Sequence, residues 1–111
     1  VDGDRRLLAD VIDAYLTESP ALLNDVRQAV NSGVARQVER TAHTLKGPSR
    51  SLGATRLFEH CWQLEQMGRG GNLAGAPELL ARIEAEMGLV LPLLQEFMKT
   101  GELPGRHATE G

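Results

Sequence analysis

Apolar residues recur at three- and four-residue spacing along nearly the whole chain, and this helical period most constrains the fold. No strand pattern competes with it. The helices are predicted at about Asp4 to Thr17, Pro20 to Val30, Val34 to Leu52, Ala54 to Gly68 and Pro77 to Phe97. Helices of this length with short connections bury their apolar faces best in a bundle. We therefore predict an all-α fold, an antiparallel up-down four-helix bundle with an additional short N-terminal helix.

Three prolines bear on the predicted helix boundaries. Ser19 and Pro20 together are typical of an N-cap followed by the first helical position. Pro48 and Pro92 instead fall inside predicted helices, where a proline removes one backbone hydrogen bond and costs about 3 kcal/mol. We expect a kink at each, the alternative for Pro48 being a helix that stops at Gly47 and restarts.

Length and composition indicate one globular domain. The chain has 111 residues, and we predict a bundle domain over residues 1–100 and a flexible C-terminal tail over residues 101–111. The net charge of −3 argues against nucleic acid as a partner. No apolar run is long enough for direct membrane insertion, and the single cysteine, Cys61, fits a reducing compartment, so a cytoplasmic location is expected. Because the chain begins at Val1 and lacks long heptad repeats, we expect a monomeric piece of a longer protein.

His43 lies on the polar side of the third predicted helix. On a helical wheel, Leu45 lies about 160° from His43, on the core side. Within about 60° of His43 lie four cations, one acid and one glycine: Arg36, Arg40, Lys46, Arg50, Glu39 and Gly47. The wheel predicts an exposed histidine in a cationic stripe, although the domain as a whole is acidic.

This surface has the chemistry of a phosphate-carrying imidazole. A neutral imidazole is a nucleophile, and the nearly doubly negative phosphoryl group would be offset by Lys46, with Arg50 or Arg40. Gly47 leaves a flat area that the backbone of a partner can approach. Glu65 is the candidate to hold the second ring nitrogen.

Simpler readings exist for each feature taken alone. An exposed histidine is usually only surface, a cationic stripe is often a solvated face, and Gly47 before Pro48 could mark a helix break. The conjunction of these features favours a functional site. His60 and Cys61 are adjacent, so they would point about 100° apart on a helix, and no metal site is predicted.

These residues resemble the signature of the histidine-containing phosphotransfer (HPt) domain family. The matching segments, spread between about Leu7 and Phe97, are Ala42-His43-Thr44-Leu45-Lys46-Gly47, Ser51-Leu52-Gly53-Ala54, Leu57 and Leu64-Glu65. The resemblance implies a helical bundle whose exposed His43 takes a phosphoryl group from a receiver-domain aspartate and passes it to another receiver. It implies roles for Lys46, Gly47 and Glu65, and a place for Arg69 at the site. Pro48 departs from the family, where a small residue is usual.

The resemblance implies a phosphocarrier that is not itself an enzyme. It would have no ATP site, cofactor or metal of its own, the magnesium ion belonging to the receiver domain. The expected partners are response-regulator receiver domains, and a hybrid sensor histidine kinase is one candidate parent protein. Two alternatives stay open: a helical adaptor that binds a receiver or kinase domain without phosphotransfer, and an ATP-using transferase, which the absence of a nucleotide motif disfavours.

Overall fold

Four helices form an up-down bundle in the computed structural model, which describes residues 2–101, with side chains from residue 6 onward. They are α1 (Asp2–Ser32), α2 (Ala35–Ser51), α3 (Thr55–Gly70) and α4 (Ala76–Thr100). Short connections make successive helices antiparallel, and α4 packs back against α1. No strand occurs among the described residues. The predicted all-α bundle is confirmed.

The prediction of a separate short N-terminal helix was wrong, because α1 runs without interruption through Pro20. Ser19 is 1% exposed and lies in the core, so it is no N-cap. A proline inside a helix costs about 3 kcal/mol. The burial of Ile12 and Tyr15 before it, and of Val26 after it, on one continuous face offsets that cost. Tertiary packing therefore overrides the local boundary signal.

The predicted end of this helix at Gly33 is confirmed. Gly33 has a φ of 70°, a left-handed conformation that glycine adopts without a Cβ clash. Its amide donates to the carbonyl oxygens of Ala29 and Val30 at 3.1 and 3.2 Å. This cap lets the chain reverse and begin α2 at Ala35.

Pro48 does not interrupt α2, which extends to Ser51, so the alternative of a helix ending at Gly47 was wrong. The Ser49 hydroxyl donates to the Leu45 carbonyl at 3.0 Å in the turn that contains the proline. Pro92 likewise lies within α4. The kinks at both prolines stay predictions.

The core lies between all four helices and includes most of the residues predicted to face inward. Its largest fully buried apolar side chains are Tyr15, Leu45, Leu57, Leu64, Ile83, Met87, Val26 and Val38. On α2, Ala42 and Ser49 are buried, whereas Val34, predicted to face inward, precedes the helix and is 44% exposed.

Two further expectations concern the membrane and the C-terminus. None of the described helices combines the length and the apolar character needed to cross a bilayer. Nearly all of the predicted C-terminal tail, residues 102–111, lies outside the described residues.

Candidate functional site

His43 lies on the outer face of α2, as the helical wheel predicts. Its side chain is 66% exposed. Leu45, two residues further along the helix, is fully buried in the core. The same helix therefore anchors the site through its apolar face and presents the imidazole to solvent.

Glu65, on the facing side of α3, holds one nitrogen of this imidazole. Its Oε2 lies 2.8 Å from His43 Nδ1, and its side chain is only 4% exposed. A carboxylate accepts hydrogen bonds, so this contact favours the tautomer with the proton on Nδ1. The lone pair is then on Nε2, which has no hydrogen-bond partner among the described residues.

Lys46 binds the other oxygen of the same carboxylate. Its Nζ lies 2.7 Å from Glu65 Oε1, and its side chain is 20% exposed. Lys46 follows His43 by three residues, so both side chains project from one face of α2. Glu65 thus connects the imidazole and the ammonium group and fixes their relative positions.

The electrostatics of this cluster favour an ionised Glu65. Burial opposes the charge, but the hydrogen bonds and charges of Lys46 and His43 outweigh it, so the pKa of the carboxyl lies below its ordinary value of 4.5. At neutral pH the carboxylate is therefore charged; it accepts a hydrogen bond from His43 Nδ1–H and forms an ion pair with the Lys46 ammonium group.

Arg69 and Glu39 extend the cluster by one helical turn. Arg69 Nε donates to Glu39 Oε2 at 3.0 Å, and its Nη2 lies 3.7 Å from Glu65 Oε2. Arg69 thus lies beside Glu65 and Glu39, and its role at the site stays a prediction. Glu39 belongs to the predicted cationic stripe, but no role was predicted for it; its position four residues before His43 was the available signal.

The other predicted site residues surround His43 without touching the cluster. Arg36 and Arg40 are exposed and form no ion pair within the described part of the chain. Arg50 lies over the ring of Phe58 on α3, 5.9 Å from its centroid. A Cβ added at Gly47 would meet nothing within 4 Å, so packing within the protein does not require glycine there.

Metal and thiol chemistry have little support in the described residues. They contain no group of three or more His, Cys, Asp or Glu side chains placed to hold a metal ion. Cys61 is fully buried, and that burial raises the pKa of its thiol to about 12, so the thiol stays protonated. The exposed nucleophile of this surface is the imidazole of His43.

Comparison with known proteins gives relatives of one kind. Residues 10–91 match the family model described as "Hpt domain". Histidine-containing phosphotransfer protein 4 of Arabidopsis thaliana is 22% identical over 91% of this chain and 81% of its own length. Histidine-containing phosphotransfer protein 1 of the same plant is 26% identical over 83% of this chain and 61% of its own.

A solved structure agrees with these relatives. The crystal structure of histidine-containing phosphotransfer protein B from Pseudomonas aeruginosa superposes with a TM-score of 0.78 at 31% identity, covering 82% of this chain and 79% of that one. The family match spans most of the bundle, from α1 into α4, and includes His43, Lys46 and Glu65. The chain belongs to the Hpt domain family, whose members carry phosphoryl groups in phosphorelays.

Proposed function

We propose that His43 Nε2 accepts a phosphoryl group from the aspartyl phosphate of a receiver domain and passes it to the aspartate of a second receiver. The observation that carries this proposal is the 2.8 Å contact of Glu65 with Nδ1. It directs the ring lone pair to Nε2, on a side chain that is 66% exposed. A partner's active site can reach such a nitrogen without any rearrangement of the bundle.

The transfer is a single displacement at phosphorus. The Nε2 lone pair forms the N–P bond while the P–O bond to the aspartate breaks, and that electron pair leaves with the carboxylate. The ring then carries a positive charge, which the adjacent Glu65 carboxylate stabilises through Nδ1–H. The reverse displacement, by the aspartate of the second receiver, restores the starting imidazole.

Lys46 is proposed to stabilise the transferred group. A phosphoryl group on Nε2 carries close to two negative charges, and the Lys46 ammonium is held beside the ring through Glu65. A lysine chain is flexible enough to follow the phosphate towards Nε2 while keeping its charge near the carboxylate. Arg69, 61% exposed, is the next cation in reach.

The proposed docking face surrounds the imidazole. The exposed Arg36, Arg40 and Arg50 would attract the acidic pocket of a receiver, and Gly47 would let its backbone come close. Glycine at an exposed helix position costs about 1 kcal/mol relative to alanine. Because nothing within the protein needs that glycine, a close-approaching partner is a sufficient reason for it.

A shallow groove between α1 and α2 would supply apolar contact beside this face. It has a volume of about 270 Å³, and its walls include Val11, Tyr15, Leu22 and Pro48. Pro48 lies little more than one turn beyond His43 on α2. A small apolar area with a charged rim fits a transient interface, as a relay between two receivers requires.

The test is phosphotransfer from a phosphorylated receiver domain, read by intact mass. The wild-type protein should gain the mass of one phosphoryl group, and the adduct should be acid-labile and base-stable. His43→Gln should gain none, whereas His60→Gln, which changes a half-buried histidine on α3, should behave as wild type.

Three results would contradict the proposal. Uptake by His43→Gln would place the phosphate elsewhere. Binding of receivers by the wild-type protein without any transfer would support the adaptor alternative. Labelling by ATP and magnesium without a receiver would support a transferase.

A further inference from the structure

Gly68 lies where α3 comes closest to α2. It is buried, one turn after Glu65 on the same helix. A Cβ built at this position would overlap the backbone of α2, lying 2.7 Å from the Ala35 carbonyl oxygen and 2.8 Å from Glu39 Cα, with the Glu39 amide nitrogen also in contact. The two helix backbones thus touch directly, without a side chain between them.

Three other helical glycines, Gly47, Gly70 and Gly88, have no such close neighbour. A Cβ added at Gly47, Gly70 or Gly88 would meet nothing within 4 Å. Backbone atoms cannot rotate away as a flexible side chain can, so a methyl group at Gly68 would separate the helices by about 1 Å.

The Gly68 contact and the candidate site share one seam. Glu39 precedes His43 by four residues on α2, and Gly68 follows Glu65 by three on the antiparallel α3. The backbone contact therefore lies one turn, about 5 Å, from the hydrogen bond between Glu65 and His43. Arg69, next to Gly68, closes the same turn through its 3.0 Å bond to Glu39.

We infer that Gly68 is a positioning residue for phosphotransfer: its missing Cβ sets the distance between α2 and α3 at which the Glu65 carboxylate reaches both His43 Nδ1 and Lys46 Nζ. This inference rests on the proposed function of His43. A 2.8 Å hydrogen bond lengthened by about 1 Å is no longer a hydrogen bond. The ring would then lose the contact that directs its lone pair to Nε2.

The test compares Gly68→Ala with Gly70→Ala, a matched change two residues away on α3. Transfer from a phosphorylated receiver should slow by about 10- to 100-fold in Gly68→Ala, as expected for a misplacement of about 1 Å, and stay within about twofold of wild type in Gly70→Ala. Far-UV circular dichroism establishes folding, with trimethylamine N-oxide added to stabilise a weakened variant.

A spectroscopic readout separates positioning from loss of stability. In wild-type protein, the ¹⁵N shifts of the His43 ring should report the Nδ1–H tautomer, and in folded Gly68→Ala they should move towards the Nε2–H form. The carboxyl of Glu65, followed by ¹³C NMR, should titrate at a higher pH in Gly68→Ala, because it has lost partners that stabilise its charge.

A double-mutant comparison completes the test. Glu65→Asp shortens the reach of the carboxylate and adds no atom at the Gly68 backbone contact, so it should slow transfer by the same mechanism. If both substitutions act through the same contact, the double variant should transfer little more slowly than the slower of the two single variants. If the fold-losses in transfer rate of the two single variants instead multiply in the double variant, the inference is overturned.

Other results would also overturn it. The first is that Gly68→Ala folds and keeps both the wild-type tautomer of His43 and the wild-type transfer rate. The second is that Gly68→Ala cannot be folded, which would mean that Gly68 is needed for stability. If wild-type protein takes up no phosphoryl group, the proposed function fails, while the two NMR readouts still decide whether Gly68 positions Glu65.

Discussion

Two polar clusters, one between α2 and α3 and one that also includes α1, differ in charge and in access to solvent. The Glu65 cluster consists of Glu65, His43, Lys46 and Arg69, and its imidazole is 66% exposed. The Ser49 cluster consists of Ser49, Tyr15 and Cys61, and each of its members is at most 1% exposed. The first lies on the outer seam between the two helices, and the second is enclosed by the bundle.

Burial opposes ionisation in both clusters, but the net shift in pKa has opposite signs. In the Ser49 cluster, burial raises the pKa of Tyr15 and of Cys61, and the Ser49 hydroxyl offsets this only partly. In the Glu65 cluster, burial also opposes the charge, but cationic and hydrogen-bonding neighbours outweigh it and lower the pKa of Glu65. Buried polar groups are thus held neutral in one region and charged in the other, and the charged region exposes an imidazole to solvent.

The largest expected effect after loss of His43 itself comes from removing the cation of the Glu65 cluster. Lys46→Met should slow phosphotransfer by about 100-fold. Removing a group that is positioned to stabilise the charge developing in a transition state typically lowers the rate by at least that factor. Lys99→Met, an exposed change in the last turn of α4, is the control. The assay is transfer from a phosphorylated receiver under single-turnover conditions. An equal loss in both variants would argue against a role for Lys46.

Neutralising the carboxylate should have a smaller effect. Glu65→Gln keeps an acceptor for Nδ1–H but loses the charge, and charge-assisted hydrogen bonds are roughly twice as strong as neutral ones. We expect about tenfold slower transfer in the same assay, since tenfold corresponds to about 1.4 kcal/mol. Glu59→Gln, an exposed change on α3, should leave the rate unaltered. Full activity of Glu65→Gln would show that the carboxylate is dispensable.

The lowered pKa of Glu65 predicts a pH dependence of stability. The folded state binds this proton less readily than the unfolded state, so the contribution of Glu65 is present above its ordinary value of 4.5 and is lost as pH falls through the lowered folded value. The difference in free energy of unfolding between wild type and Glu65→Gln should therefore shrink as the solution is acidified below pH 4.5. Urea titrations at several pH values measure it. If the difference in free energy of unfolding does not change with pH, the ion pairs do not stabilise ionised Glu65 in the folded state.

The smallest effect on transfer is expected from the Ser49 cluster. Cys61→Ala should lower the free energy of unfolding by about 1 kcal/mol through a small cavity and leave transfer within about twofold of wild type. With a thiol pKa of about 12, native Cys61 should also resist iodoacetamide at pH 8 and react only after unfolding. Mass spectrometry before and after urea measures this. A large loss of transfer in Cys61→Ala would mean that the two clusters are coupled.

The sequence predicted the parts of the molecule that depend on local spacing. The helical period located the bundle, and the wheel placed His43 on the opposite side of α2 from Leu45. The predicted break at Ser19–Pro20 was wrong because a local capping signal carries no information about the core that both halves of α1 share. The same limitation applies to Pro48, which α2 accommodates without interruption.

The sequence predicted only some of the contacts between helices. Glu65 entered as a candidate, and the structure brings its two oxygens to His43 and Lys46. Arg69 was predicted at the site only from the family resemblance, and its hydrogen bond to Glu39 was not predicted. The sequence predicts only a helix end at Gly68, because one glycine gives no sign of the backbone that it faces.

By itself, the sequence determined which residues share a face of one helix, since a spacing of three or four residues acts over a single turn. His43 and Lys46 are neighbours for that reason. Only the tertiary structure decided how far α3 lies from α2 and in which register, because both depend on the packing of the whole core. The position of the Glu65 carboxylate against the imidazole follows from that distance and register, and so does the direct contact of Gly68 with the backbone of Glu39.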